Sequence, residues 1–442
     1  MKNLRFLKRV IICWITAVSL FSFVYAHPLQ SLTLKQALQI ALRKNPEILI
    51  EEGKLKKASG EFVKTKSRSM PLLALHGFAF TGNTVTMIDT PVISPAGWIT
   101  TTKNGNFGGD VVLSYPLYTG GYLKEIVNSS RFRQFSQREK LKAARLDVIF
   151  KTTQAYDSVL LEKGKLQTAR SDLKRARESY RLSRQFFKAG KIPYFYLLRS
   201  RARLAKSQAK EIEIFNDLKL TEIQLSNVLG ETSVLRAVPS GKLSSQQVIS
   251  SNSLTLKDLL RFADQNRPDS LALLNRIKQI HSEFKSIKGS YYPQVYFYSR
   301  YDSLSNSPGA FNGYNVGIHA SISLFDGGER AGEIKKAEGN LEVEKGELKR
   351  LKLHIKEEVG EGYWDYKTAL KELSAARAEV KFAKENLRIV LLRFRSGKGI
   401  FLEVLDAEDA LTKAQYQEIQ ALYDLNVSRA YLEWAEGEGE VL

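Results

Sequence analysis

The 442-residue sequence holds a single cysteine, Cys13. It lies inside an N-terminal apolar stretch that reads as a secretory leader. Lys2, Arg5, Lys8 and Arg9 form the charged start, Val10 to Val24 the apolar run, and Val24-Tyr25-Ala26 a small-residue cleavage pattern before His27. A retained membrane anchor is the alternative, but the apolar run is short and ends in that pattern. The mature chain is therefore expected to lack thiols and disulfides. Cys13 is also too far from the cleavage point to carry a lipid. No later stretch reaches the ~18 apolar residues of a membrane helix, so entry into a bilayer would have to use strands. Nucleotide, zinc, thiol-redox and serine-hydrolase motifs are all missing, and the five histidines (His27, His76, His281, His319, His354) share no ligand spacing. No enzyme, cofactor or metal site is expected. The net charge of +20 includes four positives from the leader, leaving sixteen. These are spread along the chain without any nucleic-acid-binding pattern, which favours a solvated basic exterior over nucleic-acid binding.

What is present is an alternating stretch, Tyr314 to Leu324. Tyr314, Val316, Ile318, Ala320, Ile322 and Leu324 fall on one face. Asn315, Gly317, His319, Ser321 and Ser323 fall on the other. That is the length and period of a tilted transmembrane strand. The pattern assigns Val316, Ile318, Ala320 and Ile322 to lipid, and Asn315, Gly317, His319 and Ser321 to a lumen. Phe325-Asp326-Gly327-Gly328 then breaks it, and a long helical period begins. The same joint occurs earlier, at Phe107 to Gly121, ending in Gly120-Gly121.

The joint is one part of an internal repeat. A shift of 222 residues carries Leu32-Thr33-Leu34-Lys35 onto Leu254-Thr255-Leu256-Lys257, Pro46 onto Pro268 and Pro71 onto Pro293. Beyond the strands the shift is 207, carrying Gly120 onto Gly327, Gly190 onto Gly397 and Gly230 onto Gly437. The difference falls in the hairpin loops, roughly 82–106 against roughly 302–313, as an exposed tip allows. The expected order is a leader at 1–26, a first repeat at 27–230, a linker at 231–253, a second repeat at 254–437 and a tail at 438–442.

Each repeat reads as a short helix (34–43 capped by Thr33; 256–265 capped by Thr255), then a helix opened by Pro46 or Pro268. A hairpin follows, spanning 72–117 in the first repeat and 294–324 in the second. Tyr115, Tyr118, Tyr291 and Tyr292 sit at strand ends, where an interfacial girdle belongs. Long helices then run over 122–187 and 334–394. From Gly362 to Phe394 apolar and small residues recur at three and four, the coiled-coil period. Each helix would be ~100 Å long and must pack lengthwise against others. Gly190 and Gly397 stop them, and helices 193–229 and 401–434 run back, the latter with a seam of Leu411, Ala414, Ala421, Leu425, Ser428 and Leu432.

Four strands cannot close a membrane barrel, and an open edge in lipid is costly. The strands must therefore be pooled between chains; physics alone does not select three over two or four. Here the sequence resembles the TolC family of bacterial outer-membrane factors over essentially all of the mature chain. The carrying residues are LTLxxAL at Leu32–Leu38, Asn45-Pro46 and the two Gly-Gly joints. Phe187–Gly190, Phe394–Gly397 and Phe401-Leu-Glu-Val-Leu-Asp-Ala407 complete them. The resemblance implies a homotrimer, mainly α with membrane β. A long antiparallel helical coiled-coil barrel would continue into a 12-stranded outer-membrane β-barrel, four strands per chain. It implies the exit duct of a tripartite efflux pump or type I secretion system. The duct would be a passive conduit in the outer membrane with a large periplasmic portion, partnered by a periplasmic adaptor and an inner-membrane transporter. A non-conducting trimeric scaffold or adhesin is the other reading.

The same resemblance places Glu403 and Asp406 at the periplasmic entrance, although acids in the first turn of a helix also simply favour its dipole. Tyr196 and Arg199 are their first-repeat counterparts, and Arg199 is expected to pair with an acid of a neighbouring tip. Gly190, Lys191, Pro193, Leu197, Gly397, Lys398 and Leu405 resemble the exposed turns on which adaptors dock, or merely make the turn. Gly120, Gly121, Gly327 and Gly328 are the expected barrel–tunnel joints.

Overall fold

The computed structural model describes residues 31–80, 106–231, 238–244, 255–306 and 309–438. The leader, the first hairpin's loop, most of the linker and nearly all of the tail lie outside the described residues. The described elements run β1 (Ser31–Leu32), α1 (Leu34–Lys44), α2 (Pro46–Ser67), β2 (Leu72–Phe80), β3 (Asn106–Tyr118), α3 (Tyr122–Lys188), α4 (Tyr194–Val228) and β4 (Val238–Pro239). They continue α5 (Leu256–Asn266), α6 (Pro268–Gly289), β5 (Gln294–Asn306), β6 (Gly309–Ser321), α7 (Glu329–Arg395) and α8 (Phe401–Glu436). Helix lengths match between halves: 11 and 11, 22 and 22, 67 and 67, 35 and 36 residues.

Helix starts follow the capping residues read from the sequence. Thr255 accepts from the Asp258 amide while Asp258 reaches back, a full capping box. Thr33 and Gln36 make the same reciprocal pair at α1. Asn45 caps α2, with Pro46 at a position that needs no N–H donor.

The four long strands form one antiparallel sheet in the order β2-β3-β5-β6. The second hairpin differs from expectation: β5 runs on to Asn306 and β6 starts at Gly309, so its loop is tighter than 302–313. The strand also ends at Ser321, leaving Ile322 and Leu324 beyond it. Glycine at 309 and 313 and asparagine at 306 and 312 hide this hairpin from a period-two reading. One register shift interrupts β3/β5 between Pro116 and Tyr118, where proline has no N–H to give the ladder.

The register sorts the sheet into two faces. Leu73, Leu113, Ser299 and Val316 lie opposite one another across the four strands, as do Leu75, Val111, Tyr301 and Tyr314. That face is mostly apolar, and Leu73, Leu75, Val111, Tyr301, Tyr314 and Val316 on it are exposed. The opposite face carries His76, Asp110, Asp302 and Gly313 in one row. There His76 Nδ1 lies 3.1 Å from Asp110, and Arg300 Nε lies 2.6 Å from Asp302 and 3.6 Å from Asp110. An apolar skin backed by a satisfied polar row is what a strand needs between lipid and water.

The chain divides into two compact units, each drawing segments from both halves. One comprises the described parts of 1–40, 155–244 and 379–423; the other, those of 41–154, 245–378 and 424–442. In the first, Leu387, Val390, Val404, Ala407 and Leu411 form a core cluster flanked by Phe394. A short clasp closes the same unit. β1 and β4 pair in parallel, and the Tyr156 hydroxyl lies 2.9 Å from the Leu32 carbonyl and 3.0 Å from that of Ser240. The second unit holds the sheet and a seam through Val148, Val359 and Tyr366, all essentially inaccessible. The expected α7 and α8 seams are the buried stripes: Ile355, Ala369, Leu373, Ala376, Ala414, Ala421, Leu425 and Leu432 are all buried.

Candidate functional site: the helical turns and the strand–helix joints

Both long helices end in the same device. At the first turn, Gly190 N–H donates to the Phe187 carbonyl at 3.0 Å and Lys191 N–H to that of Phe186 at 2.9 Å. At the second, Gly397 donates to Phe394 at 3.1 Å and Lys398 to Arg393 at 2.9 Å. These are paired Schellman bonds, and both glycines have positive φ, 69° and 73°. Lys191 and Lys398 are exposed. Pro193 is exposed too and precedes α4 in extended geometry without a side-chain cap. Leu197 is half-buried. Leu405 is only 3 % exposed, so it belongs to the helix seam and offers no surface to a docking partner. It follows Val404 on the inward face of α8's first turn, which a motif match alone does not reveal.

Arg199 and Asp406 do meet, but within one chain, with Nη2 3.8 Å from Oδ1 and both side chains largely exposed. This partner comes from the second repeat's turn of the same chain, where α4 and α8 lie side by side. Glu403 is half-buried, its nearest cation Arg393 at 3.9 Å. Tyr196 lies against Phe195, with ring centroids 4.0 Å apart and the planes tilted by 33°. Exposed pairs of this kind contribute no more than about 1 kcal/mol each.

The stronger electrostatic feature lies about three turns along α4 and was not singled out from sequence. Arg203 is buried and lies 3.1 Å from Asp172 on α3, 2.8 Å from Asp409 on α8, and in contact with Glu408. Ser207 donates to Asp172 at 2.5 Å, Ser179 to Glu408 at 3.0 Å and Thr412 to Asp172 at 2.8 Å. Burial alone would lower the Arg203 pKa. Glu408, Asp409 and Asp172 outweigh it and hold the guanidinium pKa above its ordinary value. The hub ties α3, α4 and α8 into one body. Its sequence signal was available: Ser200, Arg203, Ser207 and Ile214 share the inward face of α4, and arginine on such a face demands acids opposite.

At the other end stand the joints. Gly120, Gly121, Gly327 and Gly328 all have positive φ, from 62° to 96°, and each pair turns a strand into a long helix. A side chain at Gly120 would fall 2.4 Å from the Gly289 carbonyl oxygen, whereas Gly121 has open space. The second joint has an extra clamp. Arg330 contacts Asp326, donates to the carbonyls of Ser290 (3.2 Å) and Ser323 (2.9 Å), and lies 4.3 Å from the Tyr291 ring centroid. The arginine holds the Asp326 carboxyl below its usual range.

Comparison with known proteins agrees with this construction. The family model of the outer membrane efflux protein matches residues 37–231 and 259–438. The alkaline protease secretion protein AprF of Pseudomonas aeruginosa is 23 % identical over 332 residues, which cover 73 % of this chain and 66 % of AprF, just under two thirds of its length. The probable outer membrane lipoprotein SilC of Salmonella typhimurium is 24 % identical over 77 % of this chain and 76 % of its own. The crystal structure of the outer membrane protein VceC from Vibrio cholerae superimposes with a TM-score of 0.75 at 18 % identity, covering 92 % of this chain and 96 % of VceC. The fold is that of outer-membrane channels, which are not enzymes, and the chain belongs to the outer membrane efflux protein family.

Proposed function

We propose that three copies of this chain form the outer-membrane exit duct of a tripartite efflux pump or type I secretion system. The observation that carries this reading is the four-stranded amphipathic sheet joined through paired glycines to 67-residue helices. One chain supplies too few strands to close a barrel, and neither β2 nor β6 has a second neighbour among the described residues. A second exposed stripe on α4 points the same way. Phe195, Leu198, Ala202, Ala205, Ala209 and Ile212 recur at three and four, and all are exposed. Such a seam suits a helix of another copy.

In this reading Glu403 and Asp406 line the periplasmic entrance. The Arg199–Asp406 contact is a weak tie, and the Arg203 hub sets the larger cost of separating α8 from the α3–α4 pair. The Gly190 and Gly397 turns, with Lys191, Pro193, Leu197 and Lys398, face a periplasmic adaptor that couples the duct to an inner-membrane transporter. Planar-bilayer recording of the purified, detergent-extracted protein tests the reading. Discrete single-channel steps are expected. A trimer by mass that gives no steps would instead favour a non-conducting scaffold.

A further inference from the structure

A half-enclosed cavity of about 270 Å³ lies where the segment after β4 crosses α3 and α8. The clasp holds that segment in place through the Tyr156 hydroxyl and through Lys163 Nζ, which donates to the Pro239 carbonyl at 2.6 Å. The two helices approach closely here, since a side chain at Gly164 would fall 3.2 Å from Ile419. Leu160, Ile419 and Leu422 form an apolar wall. The polar lining is unusual. Thr168 is only 8 % exposed, yet its hydroxyl has no hydrogen-bond partner among the described residues. The side-chain oxygen of Gln415 is also buried without a partner. Lys242 is exposed and has no carboxylate within ion-pair reach among the described residues. None of the described lining residues is an acid. Burial lowers the Lys163 pKa, against a pull from Glu222. Buried polar groups are nearly always paired, so two idle ones in one cavity call for a ligand that pairs with them. The helix itself does not require this lining. The 207-residue shift carries Lys163 and Thr168 onto Leu370 and Ala375, and α7 forms the same 67-residue helix without them.

We propose that this cavity binds the carboxylate end of a peptide. Lys163 and Lys242 select an anion. The Gln415 oxygen can only accept, so the ligand must also bring an N–H or O–H. The Thr168 hydroxyl can serve either group. Leu160, Ile419 and Leu422 select a small apolar side chain beside them. The last residue of a peptide joins carboxylate, amide N–H and side chain at one carbon. A fatty acid lacks the donor, and an inorganic anion lacks the apolar part. The inference goes beyond the exit-duct reading, since the cavity needs neither a barrel nor conduction.

The test is titration calorimetry on the full-length protein in detergent. The probes are acetyl-alanyl-alanine in L and in D form, each also as its C-terminal amide, and octanoate. At least one of the two acids is expected to bind, with its amide and octanoate weaker by about tenfold or more. Preference for the L form points to a protein chain end and preference for the D form to a cell-wall peptide; either supports the proposal. Joint replacement Thr168→Val and Gln415→Met should weaken the acid by about tenfold or more without lowering the thermal midpoint, because neither group has a partner to lose in the folded chain. Lys242→Gln, an exposed change, should weaken the acid and leave the amide as it was, which keeps the test open if the double variant misfolds. A lowered midpoint with binding intact would mean that Thr168 and Gln415 serve packing alone, and the proposal would fall. Equal binding of acid and amide, equal binding of octanoate, or no binding of either acid by the unaltered protein overturns it as well.

Discussion

At the residue scale, the largest single effect is expected at Arg203. Removing it strands Asp172 and Glu408 in a buried site, and breaking a buried pair costs about 3–5 kcal/mol. Arg203→Met should therefore lower the thermal midpoint in detergent markedly, while Arg199→Ala should cost no more than about 1 kcal/mol of stability and barely move the midpoint. Adding Asp172→Asn and Glu408→Gln to Arg203→Met should recover most of the loss, because no orphaned charge remains. If the single and triple variants melt together, the hub is not what holds α8 to the α3–α4 pair. The joints offer a second contrast. Gly120→Ala meets both positive φ and the Gly289 carbonyl at 2.4 Å, whereas Gly121→Ala meets only the backbone strain. The first should reduce assembled protein in the outer membrane sharply and the second by much less, read by heat-modifiability on gels. Residues of this kind divide what the sequence reveals. Repeated glycines announce a turn, because only they enter that backbone region readily. Arg203 shows in the sequence only as an arginine on an inward helix face; its partners stay hidden, because they lie 31 and 205 positions away and only packing brings them together.

At the element scale, the helices were legible to within a few residues at each end, because capping residues and a three-and-four period mark limits and inward face; the largest miss is α7, which starts at Glu329 and not at 334. The second hairpin's strand ends were not, since glycine, serine and asparagine carry no alternation. The end of α8 shows a further effect that no pattern announces. Glu436 is buried at the helix C-terminus, just before Gly437 packs against Arg267. Burial, then Glu438 and Glu433, push its carboxyl up to about 7. The helix dipole adds to this, since a C-terminus disfavours negative charge. The folded chain therefore keeps this proton over a range in which the unfolded chain, with a value near 4.5, has lost it. The contribution to stability is full below the unfolded value and is lost as pH rises through the folded one. Glu436→Gln should consequently raise the thermal midpoint at about pH 8 and leave it nearly unchanged at about pH 4. A variant whose midpoint shifts equally at both values would show that Glu436 does not titrate between them.

At the scale of the whole molecule, the sheet dictates how copies must join. The strands alternate in direction through β2, β3, β5 and β6, so the two edges run oppositely. The β6 of one copy can therefore meet the β2 of the next antiparallel, and the alternation continues around a ring without a break. Two copies would give eight strands and three would give twelve, both within the range of known barrels. The apolar faces must also match: Leu73 and Leu75 of β2 and Val316 and Ile318 of β6 belong to one face of the sheet. Cysteines placed on both edges should therefore cross-link between copies. The only natural cysteine lies in the expected leader, so the background is clean. Pairs drawn from 73 or 75 and 316 or 318 should give an oxidation-dependent ladder that ends at a closed species resistant to further cross-linking. The mass of that species counts the copies, with three expected. Cysteines on β2 alone should give no ladder, because like edges never meet in such a ring. A ladder from β2 alone, or dimers that never close, would mean that the sheet is completed in some other way, and the twelve-stranded duct would fall with it.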